Sequence, residues 1–168
     1  STSMGYPVSA ISAHVTAVPN HQNGRITPLK TRADVAYAGV FGYELDITKM
    51  NDDELEEVKQ QIARCKELRG LMLSGDFYRL KNPYETNYCA WEMSAKDGSE
   101  AFLMACRILS VASTAEEKLR LKGLDPSSDY IDTETGNIYG GDELMYCGIE
   151  PPYAKCDFST VIMRLKRM

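Results

Sequence analysis

Residues 40–74, VFGYELDITKMNDDELEEVKQQIARCKELRGLMLS, decide the fold. Phe41, Tyr43, Leu45 and Ile47 alternate with Gly42, Glu44 and Asp46, the period-two pattern of a strand over residues 40–47. The period then changes. Leu55, Val58, Ile62, Cys65, Leu68 and Met72 recur at steps of three and four, which predicts a helix with one apolar stripe. Asn51 caps that helix and Glu54 completes a capping box. Asp52, Asp53 and Glu54 crowd its first turn, where the helix dipole favours negative charge. Ser74-Gly75 ends it. A strand feeding a long helix is one β–α unit.

A second unit precedes it. Residues 4–8 are apolar and small, as in a buried strand. Residues 9–29 read as a long loop. Ser12, His14, Thr16, Asn20, His21, Gln22 and Asn23 give it the polar density of a working loop rather than a connector. A short helix follows, with Thr31 as its cap and Gly39 as its stop. Residues 1–75 therefore read strand, loop, helix, strand, helix. Two parallel strands with two helices cannot bury both faces of a sheet, whereas a closed (β/α)8 barrel needs eight such units in about 250 residues. The chain is expected to be cut from something longer, with six units upstream.

Beyond Gly75 short period-two runs dominate. Residues 77–80, 88–95 and 100–109 read as strands, the last two joined at Lys96-Asp97-Gly98, a hairpin signal. Residues 118–124, 130–132, 137–139 and 158–165 continue the pattern. Residues 76–168 are expected to form a small antiparallel β-sandwich domain.

Composition narrows the function. The 168 residues carry 19 Lys and Arg against 24 Asp and Glu, a net charge of -5. That balance argues against a surface that tracks phosphates, so no nucleic-acid partner is expected. No apolar run nears the roughly 20 residues of a membrane span, so no membrane partner is expected. The five cysteines, Cys65, Cys89, Cys106, Cys147 and Cys156, are odd in number, widely spaced and free of CxxC pairs. They read as free, buried thiols in a cytoplasmic protein. No zinc site is expected, because His14 and His21 are the only histidines and no cysteine lies near them. The run from Asp132 to Asn137 mimics a calcium loop, but its glycine is at the fifth position instead of the sixth, so a hairpin turn is favoured. No phosphate cradle and no serine-nucleophile motif is present, and no cofactor is expected. Trp91, the sole tryptophan, sits mid-strand and reads as core rather than as a sugar-stacking platform.

Five blocks carry a resemblance. They are Ala13-His14-Val15-Thr16-Ala17-Val18-Pro19-Asn20-His21-Gln22 with Gly24-Arg25, Thr27-Pro28-Leu29 and Thr31-Arg32; Phe41-Gly42-Tyr43-Glu44-Leu45-Asp46; Gly75-Asp76-Phe77-Tyr78-Arg79-Leu80; Leu121-Lys122-Gly123-Leu124-Asp125; and Gly140-Gly141-Asp142-Glu143-Leu144-Met145. In this order they resemble glycoside hydrolase family 36, mainly α-galactosidases. Ile11-Ser12 stands where Met-Gly is usual, and Thr16 where Ser is common.

The resemblance implies that residues 1–75 are barrel units seven and eight and that residues 76–168 are the C-terminal β domain. It implies a retaining hydrolase of terminal α-D-galactosyl residues, with galactosides such as melibiose and raffinose as substrates and a homo-oligomeric full-length enzyme. The family's two catalytic aspartates lie on earlier barrel strands, so no catalytic residue is carried over. Candidates for the active-site rim are His14, Asn20, His21 and Glu44. The first three either donate to sugar hydroxyls or brace the loop's own backbone; Glu44 either shapes the site or forms an ion pair. The alternative function is a non-catalytic carbohydrate-binding or scaffold β module. A small complete protein pairing its open sheet with a second copy is a third reading.

Overall fold

The computed structural model describes residues 5–112 and 117–168. The chain divides into two compact units between Leu73 and Ser74.

In the first unit the opening strand is not where its composition suggests. Met4 lies outside the described residues, Val8–Ala10 is one turn of 3-10 helix, and β1 runs over Ser12–Thr16, inside the segment expected to be a loop. The cause is the alternation itself. Ala13 and Val15 turn toward the core, Val15 wholly buried, so Ser12, His14 and Thr16 share the other face. Three polar residues in five look like a loop when counted and like a half-buried strand when ordered. β1 pairs in parallel with β2, Val40–Glu44, in the register Ser12↔Val40 to Thr16↔Glu44.

The connecting helix α1, Leu29–Ala36, starts earlier than its expected cap. Pro28 takes the cap position and Thr31 is buried in the first turn. Strand β2 stops at Glu44 because the Asp46 carboxylate binds locally, accepting from the Thr48 amide at 3.1 Å and the Thr48 hydroxyl at 2.6 Å. A turn of 3-10 helix at Ile47–Lys49 follows. Helix α2, Asp52–Ser74, opens with the capping box intact. The Glu54 amide donates to Asn51 Oδ1 at 2.9 Å and the Asn51 amide donates to Glu54 Oε2 at 3.0 Å. Leu29, Ala33 and Ala36 of α1, Val15 of β1 and Val58 of α2 form the core. Gln61 is a polar tie inside it: Tyr43 Oη donates to Gln61 Oε1 at 2.7 Å, and Gln61 Nε2 donates to Glu57 at 2.9 Å.

The second unit holds β3 (Asp76–Lys81), β4 (Tyr88–Ser94), β5 (Glu100–Arg107), β6 (Asp129–Asp132), β7 (Ile138–Gly140) and β8 (Ser159–Arg167). They make one antiparallel sheet in the order β3-β4-β5-β8-β6-β7. This corrects the expected sandwich, which needs two facing sheets. Residues 118–124, expected as a strand, contribute a single bridge from Leu119 to Ile149. Leu119, Leu121 and Leu124 join Leu144 of a wide helical turn at Glu143–Cys147, and together they cover Ala90, Leu103, Ala105 and Leu165. An irregular segment and a turn do the burying that a second sheet would do.

On the other face Trp91 packs between Phe77 and Phe102, with ring centroids 5.8 and 5.7 Å apart, and only 5% of it is exposed. It is core, as its mid-strand place suggests. The cysteines are free, but only Cys106 is buried; Cys147 and Cys156 are exposed, so burial is not their common property. Among the described residues no helix is long and apolar enough to cross a membrane.

Candidate functional site

The polar face of the β1–β2 pair carries two of the candidate residues, His14 and Glu44. Ser12, His14 and Thr16 come from β1, with Val40, Gly42 and Glu44 directly opposite. Gly42 sits beside the imidazole: a methyl group there would lie 3.4 Å from His14 Cδ2, in van der Waals contact. Ser12 Oγ stands 3.0 Å from His14 Nε2, and Glu44 Oε2 is 3.6 Å from His14 Nδ1. The second distance is an ion-pair separation rather than a hydrogen bond. His14, expected on a loop, is therefore a strand residue set between a hydroxyl and a carboxylate. Such a row donates, accepts and holds charge within a few ångströms, which suits a polyhydroxylated ligand.

Asn20 spends its side chain on the chain itself. Asn20 Oδ1 accepts from the amides of Gln22 at 3.0 Å and Asn23 at 3.3 Å, and the Gly24 amide closes the turn on the Asn20 carbonyl at 2.8 Å. The bracing role is the one this geometry displays. His21 sits at the exposed tip of the same turn. The structure thus pairs His14 with Glu44, and gives Asn20 and His21 to the following loop.

Two contributors were missed from sequence. Ser12 belongs to the polar row, and its signal was the Ser-x-His spacing of a strand. Arg32 holds the loop: its guanidinium donates through Nε to the Thr27 carbonyl at 3.2 Å and through Nη1 to the Thr16 carbonyl. Burial lowers the Arg32 pKa, while Glu54 and Glu57 oppose the shift. An apolar cavity of about 240 Å³ in this unit is lined by Tyr37, Phe41, Cys65, Leu68 and Met72 and by none of the four candidates. Among the described residues no group of three His, Cys, Asp or Glu could hold a metal ion.

Comparison with known proteins agrees along the whole chain. The Melibiase family model matches residues 1–75, and the glycosyl hydrolase family 36 C-terminal domain model matches residues 88–165. Alpha-galactosidase AgaA of Geobacillus stearothermophilus is 51% identical over 165 residues, 98% of this chain and 22% of that protein. Alpha-galactosidase Mel36A of Lactobacillus acidophilus is 41% identical over 165 residues, again 22% of its length. The crystal structure of an AgaA variant in complex with 1-deoxygalactonojirimycin superposes with a TM-score of 0.94 at 50% identity, covering 99% of this chain and 23% of that one. Further AgaA variants are solved with raffinose and stachyose. The chain spans about a fifth of the length of these relatives. It belongs to glycosyl hydrolase family 36, as a C-terminal portion of that family's proteins.

Proposed function

We propose that this chain serves in a retaining α-galactosidase that removes terminal α-D-galactosyl residues from oligosaccharides such as melibiose and raffinose, and that it does not carry the reacting carboxylates. Residues 1–75 are then units seven and eight of a (β/α)8 barrel and residues 76–168 its C-terminal β domain. The observation that carries this is the parallel β1–β2 pair, polar on one face and packed by α1 and α2 on the other, in a segment matched by the Melibiase model. In a barrel the helix-free face points inward and the loops after the strands form the active-site mouth. His14 and Glu44 then face the interior near the carboxyl ends of their strands. Asn20 and His21 lie on the rim, Asn20 giving the loop its shape and His21 offering a ring nitrogen to a sugar hydroxyl.

Retention needs two carboxyl groups about 5 Å apart, one as nucleophile and one as acid and base. Among the described residues of β1 and β2, Glu44 is the carboxylate on the polar row, and it stands beside His14 rather than a second carboxylate. The 168-residue chain alone is therefore expected to leave a chromogenic α-galactoside intact. Turnover above a blank by the pure chain overturns the assignment. A coding sequence upstream of Ser1 that supplies barrel units and two catalytic aspartates is the expected counterpart. Calorimetric titration of raffinose into residues 76–168 alone is expected to show no heat of binding; binding there would favour a carbohydrate-binding module.

A further inference from the structure

Glu92 lies within β4 of the second unit and is wholly buried. It shares its face of β4 with Ala90 and Ser94, opposite Tyr78 on β3 and Leu103 on β5. That face is the one covered by Leu119, Leu121 and Leu124. A carboxylate among such neighbours loses its hydration, and the loss must be met by hydrogen bonds or by a proton. The backbone of the covering segment comes very close here. Gly123 has φ +71°, and a methyl group on it would lie 3.0 Å from Ser94 Cβ and 3.1 Å from Tyr78 Cε2.

Three hydrogen-bond contacts join Glu92, Ser94 and Lys122. The Lys122 amide donates to Glu92 Oε2 at 2.8 Å. Ser94 Oγ stands 2.8 Å from Glu92 Oε1 and 2.9 Å from the Lys122 carbonyl. A hydroxyl has one hydrogen. With Glu92 ionised, Ser94 faces two acceptors and satisfies one; the other short contact sets lone pair against lone pair. A hydrogen on Glu92 Oε1 resolves both. The acid donates to Ser94 Oγ, Ser94 donates to the Lys122 carbonyl, and the Lys122 amide donates back to Glu92 Oε2. The ring closes through the backbone of one residue, with every group partnered.

We propose that Glu92 is a carboxylic acid in the folded protein and that its proton latches residues 119–124 over the sheet. On ionisation the ring opens at the Lys122 carbonyl and the segment loosens, which makes the second unit sensitive to pH.

The charged surroundings allow this. The ammonium of Lys122 is exposed, and the Lys81–Glu117 ion pair, at 2.5 Å, lies opposite Ala90, two residues along β4. Tyr78 is the titratable group that β3 sets against Glu92; β5 and β8 offer Leu103 and Met163, which are apolar. Burial raises the Glu92 carboxyl to about 7, against the Lys122 amide, Ser94 wherever it donates to the ionised form, and the Lys122 charge, which lower it. A folded-state value above the unfolded one means that the folded state binds the proton more tightly. The stabilisation is complete below the ordinary carboxylate range and is lost as pH rises to about 7.

The test uses the isotopically labelled 168-residue chain and does not depend on the galactosidase assignment. The ¹³C signal of the Glu92 side-chain carboxyl is followed from about pH 3 to 9, a range that includes the ordinary carboxylate midpoint, together with hydrogen exchange at the Lys122 amide. The carboxyl is expected to titrate near neutrality, and Lys122 protection, corrected for intrinsic exchange, is expected to drop about tenfold or more across that midpoint. In Glu92→Gln the side-chain amide donates to Ser94 where the acid did, so corrected protection should stay flat with pH. A midpoint in the ordinary carboxylate range, or equal pH profiles in the two proteins, overturns the proposal. The carboxyl titration needs no variant, so it decides the matter even where Glu92→Gln fails to fold.

Discussion

Arg32, on α1, donates to the main-chain carbonyl of Thr16, the last residue of β1. The same guanidinium reaches the Thr27 carbonyl. One side chain thus ties both stems of the loop that carries Asn20 and His21. A planar fork with donors on separate nitrogens is suited to this, and an ammonium at the end of a flexible stem is not.

Arg32→Ala should leave β1 and α1 paired with the core while freeing the loop between them. Trypsin cleavage after Arg25, which is exposed in that loop, should then quicken by about tenfold relative to the unaltered chain, because proteolysis follows the population of open states. Arg32→Lys should fall between the two. Peptide mapping of a timed digest reads the result, and equal rates in all three proteins would remove Arg32 from this role.

Tyr130 is wholly buried with its hydroxyl between two turns. Tyr130 Oη donates to the Gly98 carbonyl at 2.6 Å and accepts from the Asp125 amide at 2.8 Å. Tyr130→Phe keeps the ring and leaves a buried carbonyl and amide without that partner. It should cost about 1–3 kcal/mol in urea denaturation. Tyr139→Phe, whose hydroxyl accepts one exposed bond of 3.4 Å from Asn137, should cost much less.

Gly123 and Gly24 separate backbone strain from crowding. Both have positive φ, +71° and +69°, but a methyl group on Gly24 meets nothing within 4 Å while one on Gly123 meets Ser94 and Tyr78. Gly24→Ala should cost about 1–2 kcal/mol for the left-handed conformation alone. Gly123→Ala should cost more, since crowding adds to strain. Thermal denaturation of the two variants side by side measures the difference, and equal losses would show that the neighbours of Gly123 give way.

Asn51→Ala removes one half of the reciprocal cap of α2. A loss of about 1 kcal/mol is expected, read as a lower urea midpoint with an unchanged slope.

The parts of the fold that could be read in the sequence are those where one local signal dominates. Asn51 and Glu54 marked the start of α2 to the residue, because a capping box works through neighbours three apart. Asp97-Gly98 marked the β4–β5 hairpin for the same reason: Gly98 has φ +66°, which glycine adopts without strain. β1 was misplaced because His14 and Ser12 are polar for the sake of their own face, and what makes them strand residues is pairing with Gly42 and Val40, some 28 residues away. The apolar run 118–124 looked like a strand because Leu119, Leu121 and Leu124 are spaced for burial, yet no partner runs along it. Of the candidate residues, His14 and Glu44 come together on the β1–β2 pair while Asn20 and His21 stay in the following loop, a division that polar composition alone does not reveal. Arg32 was not legible, since a side chain that serves distant carbonyls leaves no pattern in its own neighbourhood.

Asp132 is 1% exposed, and its oxygens are fully engaged. They take the amides of Glu134 and Arg164, each at 3.1 Å, and the Thr135 hydroxyl at 2.7 Å. The residue that opens the look-alike of a calcium loop is thereby a rivet between the β6–β7 turn and β8. A divalent cation competing for those oxygens would have to evict three donors and part the β6–β7 turn from β8, so the motif's carboxylate is already committed to architecture.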